Sequence, residues 1–174
     1  MPKPLPSIER LRQLLDYDPL TGVLTWRPRP FPDNGWNARY AGKPAGCLHS
    51  TGYIKVAIDH TPYWSQRVIW KWVHGTEPRE VDHDNGVRDD NRLVNLNASS
   101  RGGNMRNCKR REDNTSGTTG VHWCRRSQRW VAEINAGGHR SSHRFISFND
   151  AVDARKKAEQ TLGFNPNHGR EATA

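Results

Sequence analysis

The chain has 174 residues, a formal net charge of +9 and an isoelectric point of about 9.9. Hydrophobic residues make up 33% and the mean hydropathy is −0.94, so one or two small domains fit and a large core is excluded. No apolar run is long enough to cross a membrane and no signal-peptide pattern is present, which sets the expectation of a soluble, cytoplasmic protein with no membrane partner.

Seven Trp residues argue against a disordered chain, because disordered segments are poor in aromatics. The charge is uneven. Residues 1–97 carry 13 basic and 11 acidic side chains, whereas residues 98–174 carry 14 and 7. A basic C-terminal half points to a polyanion, against the alternatives of a merely soluble surface or an acidic protein partner. Cys47, Cys108 and Cys124 make no pairable framework and no Cys-x-x-Cys motif, so reduced thiols and no structural zinc are expected.

In chain order, residues 1–6 are Pro-rich and expected to be loose. Ser7 is placed to cap a short helix with Ile8, Leu11, Leu14 and Leu15 on one face. Tyr17 to Gly22 reads as a turn and Val23 to Trp26 as a strand. Arg27 to Pro44 holds four prolines and reads as an extended loop, either a DNA-contacting arm or an ordinary surface loop. Tyr53 to Ile58 reads as a strand, Asp59 to Pro62 as a turn, and Tyr63-Trp64-Ser65 as the return. A helix is expected from about Gln66 to His74, with Val68, Ile69, Trp72 and Val73 facing the core. Gly75 closes it and Pro78 prevents its resumption. His74 reads as a capping cation or a surface residue.

Asp82 beside His83 then opens the chain's most polar stretch. The pattern is a strand, a turn-rich loop to Asn91, a short apolar return from Leu93 to Leu96, and a helix capped by Ser99-Ser100 with Asn104 about one turn in. Gly102-Gly103 is poor material for that helix, at up to about 1 kcal/mol each relative to Ala. A carboxylate, an imidazole and an amide can converge where strand meets helix. A hard divalent cation takes oxygen ligands, and a carboxylate plus an amide carbonyl supply two of them. A neutral imidazole can take a proton from water near pH 7. The same residues also make a good turn on their own, since Asn and Gly tolerate positive φ. Asn95 equally fits a strand-end residue, and Asn104 a helix residue bonded to its own backbone.

Val81-Asp82-His83, Asn85-Gly86, Asp90-Asn91, Asn95-Leu96 and Asn104-Met105-Arg106-Asn107 together resemble the HNH endonuclease family, in particular its phage homing-endonuclease branch. The resemblance covers roughly Arg67 to Arg111, and Leu15 to Trp26 resembles the start of phage HNH proteins. It implies a phage-infected or bacterial cell. It also implies that His83 is the general base, that Asp82 and Asn104 hold one Mg²⁺ (or Mn²⁺), and that Asn95 braces the loop and orients His83. Asp84 follows the His where the family often has an apolar residue. Gln66 stands where many relatives carry His. The basic helix end that follows, with Arg101, Arg106, Lys109, Arg110 and Arg111, suits a phosphate backbone or a solvated helix face.

Residues 112–119 are polar and turn-rich and read as a linker. Gly120 to Trp123, Arg129 to Ile134 and His139 to Ser147 read as three strands. Asn149 or Ser147 caps a helix carrying Ala151, Val152, Ala154, Ala158 and Leu162, which Gly163 ends. Three antiparallel strands on one helix leave one sheet face open, and a β element of that kind can enter the major groove. Gly120-Val121, Trp130 to Ile134 and Phe148 with the Ala-rich helix resemble the Apetala-type (ethylene-response-factor) DNA-binding domain over about 115–163. That resemblance names His122, Arg125, Arg129, Trp130, Glu133 and Arg144 as the DNA-facing surface. His122 stands where the plant relatives usually have Arg, and whether Trp123 or Trp130 joins the core is left open.

The expected architecture is α+β. A ββα-metal (His-Me finger) nuclease domain over 1–111, with an N-terminal helix and strand extension, precedes a linker at 112–119. An Apetala-type domain over 120–164 and a disordered tail over 165–174 follow. The expected activity is metal-dependent hydrolysis of phosphodiester bonds in double-stranded DNA, by nicking or double-strand cutting, as a monomer or a homodimer. The alternatives are a catalytically inactive DNA-binding regulator using the C-terminal sheet, motivated by Gly102-Gly103 and Gln66, and an RNA-binding module.

Overall fold

The computed structural model describes residues 3–30, 35–99 and 101–171, with the backbone alone at 101 and 102. The chain forms two compact units, residues 1–99 and 100–174.

In the N-terminal unit, α1 (Ile8–Leu14) starts where the Ser7 hydroxyl accepts from the Arg10 amide at 3.2 Å. It runs directly into β1 (Leu15–Asp18), which pairs antiparallel with β2 (Val23–Trp26). The expected loop from Arg27 to Pro44 contains a single-turn helix, α2 (Trp36–Tyr40), whose backbone begins at Gly35. Residues 31–34 lie outside the described residues. A short β3 (Cys47–Leu48), β4 (Ile54–Ile58) and β5 (Thr61–Trp64) make a sheet in the order β3-β4-β5. Pro62 is accommodated because β5 is an edge strand and needs no further donor there.

Helix α3 (Ser65–His74) ends at Gly75 with φ +71°, as expected of a glycine in that place. Val68 and Ile69 are fully buried, while Trp72 and Val73 pack at the margin of the same core with Leu11, Leu15, Val56 and Ile58. His74 stacks on Trp70 with ring centroids 4.2 Å apart. Residues 3–6 are not loose. Arg67 and Lys71 on α3 both pair with Glu77, and this cluster grips the backbone: Arg67 donates to the Lys3 carbonyl, Lys71 to the Leu5 carbonyl, and the Leu5 amide to Glu77. Leu5 is thereby buried. The unit closes with β6 (Glu80–His83) and β7 (Leu96–Ser99), paired antiparallel.

The C-terminal unit begins with a five-residue helix, α4 (Arg101–Met105), so the basic run Arg106 to Arg111 leaves the helix rather than ending it. Ser100, expected in the cap, lies outside the described residues. The sequence reading puts a linker at 112–119 and a disordered tail from 165, and the structure differs at both. The Ser116 hydroxyl donates to the Val121 carbonyl at 2.6 Å, and the Asn114 amide donates to the Thr118 carbonyl, which makes 112–119 a folded lead into the sheet. Residues 165–170 return to the basic run through Asn165 N–H to Arg106 O, Gly169 N–H to Cys108 O, and Arg110 N–H to Arg170 O. The polar composition of both segments satisfies backbone groups rather than solvating them.

β8 (Val121–Cys124), β9 (Arg129–Ala136) and β10 (His139–Phe145) form the sheet in the order β10-β9-β8, all antiparallel. Helix α5 (Phe148–Thr161) is capped by the Ser147 hydroxyl, which accepts from Asp150 N–H. Val121, Ala132 and Ala151 are the buried centre between sheet and helix.

Candidate active site and nucleic-acid interface

β6 delivers Asp82 and His83 at its end, opposite Asn97 and Leu96 of β7. The His83 amide donates to Asp82 Oδ1 at 2.9 Å. His83 is 3% exposed, and its Nε2 lies 2.9 Å from Asn91 Oδ1. An amide oxygen only accepts, so a bond to Asn91 Oδ1 selects the tautomer with its N–H at Nε2.

Asn91 is itself held from outside the loop. Its carbonyl accepts from the Tyr17 hydroxyl at 2.8 Å, and the Leu93 amide donates to the Pro19 carbonyl. Burial first, with Asp18 and Asp90 adding to it, pushes the Tyr17 hydroxyl up to about 12, so it stays a donor across the ordinary pH range. The turn of the β1–β2 hairpin approaches so closely that a Cβ at Gly22 would lie 2.5 Å from both Asn91 C and Arg92 N. Only glycine fits, and its φ is +77°.

The loop between β6 and β7 is braced by Asn95. Its Oδ1 accepts from the Asn85 amide at 2.9 Å and its Nδ2 donates to the Asp90 carbonyl at 2.7 Å. Asp90 in turn accepts from Asn85 Nδ2 and from the Arg92 guanidinium at 2.7 and 2.6 Å. The Arg92 bonds, aided by Asn85 and opposed by burial, hold the Asp90 carboxyl at about 2. Asn95 thus sits where a loop brace is expected, and the hydrogen bond at His83 Nε2 is to Asn91.

A further group beside His83 is absent from the sequence reading. The Tyr53 ring lies 5.7 Å from the His83 ring and 5.4 Å from Trp64. The Lys55 ammonium is 4.5 Å from the Trp64 ring centre, and the Arg88 guanidinium is 5.2 Å from that of Tyr53. Two cations over two aromatic rings make a surface suited to a sugar–phosphate strand. The signal was the two-residue spacing of Tyr53 and Lys55, with Trp64 opposite Lys55 in register.

Asn104 lies on α4 in the C-terminal unit, and the Arg101 side chain lies outside the described residues. In the N-terminal unit, Asp82 offers a carboxylate of the kind a hard divalent cation takes. Among the described residues no three His, Cys, Asp or Glu side chains form a cage, so water and phosphate oxygens would complete such an ion's shell. Of the basic run, Arg110 pairs with Glu171 at 2.9 Å, Arg111 with Asp113 at 2.8 Å, and Arg106 lies over Phe164. Lys109 is partly buried.

In the C-terminal sheet, register sorts the expected surface. Trp130 pairs opposite Trp123 and Phe145 and packs on Phe148 with ring centroids 4.7 Å apart, so it belongs to the helix side and not to the open face. Alternation puts His122, Arg129, Glu133 and Arg144 on the other face, and Arg125 follows in the exposed β8–β9 turn. Arg140, which the sequence reading passes over, joins that face opposite Asn135 and pairs with Glu133 at 2.5 Å.

No helix among the described residues is long and apolar enough to cross a membrane. No curated protein and no solved structure matches the chain. Residues 63–106 match the family model described as HNH endonuclease, and this match supports a nuclease that acts on DNA.

Proposed function

We propose that the chain is a metal-dependent DNA endonuclease of the HNH type, with Asp82-His83 at its reacting centre and the C-terminal sheet as its duplex-binding surface. The observation that carries the reading is the His83 ring held by a buried amide inside the very segment that matches the family model. His83 Nδ1 takes the proton from the water that attacks the scissile phosphate, and Asn91 keeps the ring in the tautomer that allows it. Asn95 keeps the loop closed around them. The family resemblance names Asp82 and Asn104 as the residues that would hold the divalent cation, whose chemistry is to stabilise the negative charge that develops on the phosphate and the leaving oxygen. Lys55 and Arg88 flank the strand being cut.

The open face with Arg129, Arg140, Arg144 and His122, together with Arg125, supports binding to duplex phosphates and base edges, as the Apetala-type resemblance implies. A phage homing-type role, products bearing 5′-phosphate and 3′-hydroxyl ends, and one cut strand per protomer belong to the same proposal. Supercoiled DNA incubated with the full chain and Mg²⁺ or Mn²⁺ is expected to give nicked or linear product, and EDTA is expected to abolish it. Binding without cutting under every metal would replace this reading with that of an inactive DNA-binding regulator.

A further inference from the structure

A cavity of about 430 Å³ opens in the N-terminal unit, lined by Trp26, Arg29, Trp36, Tyr40 and the β4–β5 turn at Asp59 and His60. Its wall is aromatic because of α2. Trp36 and Tyr40, four apart on one helix turn, share a face, with ring centroids 5.3 Å apart, and Trp26 meets Trp36 edge-on at 5.5 Å. The Arg29 guanidinium lies 3.8 Å over the Trp36 ring, and its buried Nε has no hydrogen-bond partner among the described residues.

The turn is the second observation. Asp59 and His60 both adopt positive φ, 47° and 63°, in a two-residue hairpin where Asn-Gly is the unstrained choice. Asp59 is explained in part by its paired bonds from Arg10. The exposed His60 ring makes no hydrogen bond to a described residue, so its place in a strained turn is unexplained by the fold.

We propose that this cavity binds one unpaired nucleobase of a DNA strand, stacked on the Arg29 guanidinium that Trp36 backs and packed against Tyr40 and Trp26, with Asp59 and His60 facing the base edge. A planar ring with polar edges suits these walls. A cationic ligand does not, because Arg29 already covers the Trp36 face. The segment also carries Arg27, Arg39 and Lys43, which suit the phosphates on either side of such a base. The proposal rests on the DNA reading above but requires no cutting.

The test uses the full chain in EDTA with a short single-stranded oligonucleotide carrying 5-iodouracil, irradiated and mapped by mass spectrometry. Adducts on Tyr40 or Trp26 are expected. Trp36→Leu, which removes the ring backing Arg29, is expected to weaken binding of the unmodified strand about tenfold, the effect of losing one base stack, and Trp36→Phe to restore most of it. Arg29→Gln gives an independent variant should Trp36→Leu fail to fold, and it too is expected to weaken binding. An abasic strand of the same length is expected to bind wild type and variants alike. Adducts confined to other segments, or folded variants with wild-type affinity, would overturn the proposal. A failed nuclease reading shows instead as intact DNA in the metal-containing reaction and leaves this result untouched.

Discussion

The two units place their buried polar groups in different service. In the N-terminal unit, Asn91, Asn95 and His83 are all buried and are bonded around one loop, while Leu11, Leu15, Val56, Val68 and Ile69 supply an apolar core of their own. In the C-terminal unit, the apolar centre is small, Val121, Ala132 and Ala151, and a buried ion cluster completes it. Arg155 is 5% exposed, pairs with Glu159 at 2.7 Å, and donates to the Glu133 carbonyl of the sheet. His168 closes the cluster from the returning tail, 3.4 Å from Arg155 and 3.8 Å from Glu159. Polar burial in the first unit sets the position of the His83 ring, and in the second it joins helix, sheet and tail. The units differ in charge as well. Residues 1–97 are nearly balanced, and the surplus lies beyond them.

This contrast can be broken at either end. Asn95→Ala strips two bonds from the loop around His83, leaving the Asn85 amide and the Asp90 carbonyl without their partner. Cleavage is expected to fall at least about a hundredfold, on the scale of removing a general base, while duplex affinity holds. A gel assay alongside a filter-binding titration reads both.

Gly120→Ala strikes the second unit. A Cβ there would lie 2.5 Å from the Glu133 carbonyl oxygen and 2.8 Å from Arg155 Nη1, at φ +75°. The backbone conformation alone costs about 1–3 kcal/mol, and the clash adds to it. The expected outcome is an earlier unfolding transition of this unit and weaker DNA binding, seen by calorimetry and titration.

Replacing Arg125 and Arg129 together leaves the fold intact, since both are exposed. It is expected to flatten the salt dependence of duplex binding by about 0.9 in log–log slope for each phosphate that the two arginines neutralise. An unchanged slope would remove these two from the phosphate path.

The smallest effect concerns pH. Burial first, with Arg155 and Arg170 adding and Glu159 opposing, holds the His168 imidazole below its ordinary value. The unfolded chain therefore binds the proton more readily. Stability from this group is fully present above about pH 6.5, the unfolded value, and is lost as pH falls below it. His168→Gln is expected to flatten that acid limb in the pH dependence of the C-terminal unit's stability, read from melting curves across pH.

The sequence made legible what local chemistry decides. Ser7 and Ser147 cap their helices because each hydroxyl meets an amide three residues on, and the Gly75 terminus follows from its φ. Asp82 and His83 are legible as a pair because strand and loop composition flank them. What stays hidden depends on long-range partners. Asn91 is not visible as the residue that holds His83, because the bond matters only once Tyr17, from the far end of the unit, fixes its backbone. Residues 165–170 read as a disordered tail because nothing local shows that residues 106–110 accept from and donate to them. Trp130 reads as a DNA-facing residue because composition does not state which side of the sheet α5 covers, and register does.

The central claim is that His83, oriented by Asn91, activates the water. Single-turnover cleavage of a labelled duplex by wild type and His83→Ala, with affinity measured on the same samples, tests it most directly. The expected result is loss of cleavage by a factor on the order of 10²–10⁴ with affinity unchanged. A His83→Ala protein that cuts at the wild-type rate would contradict it.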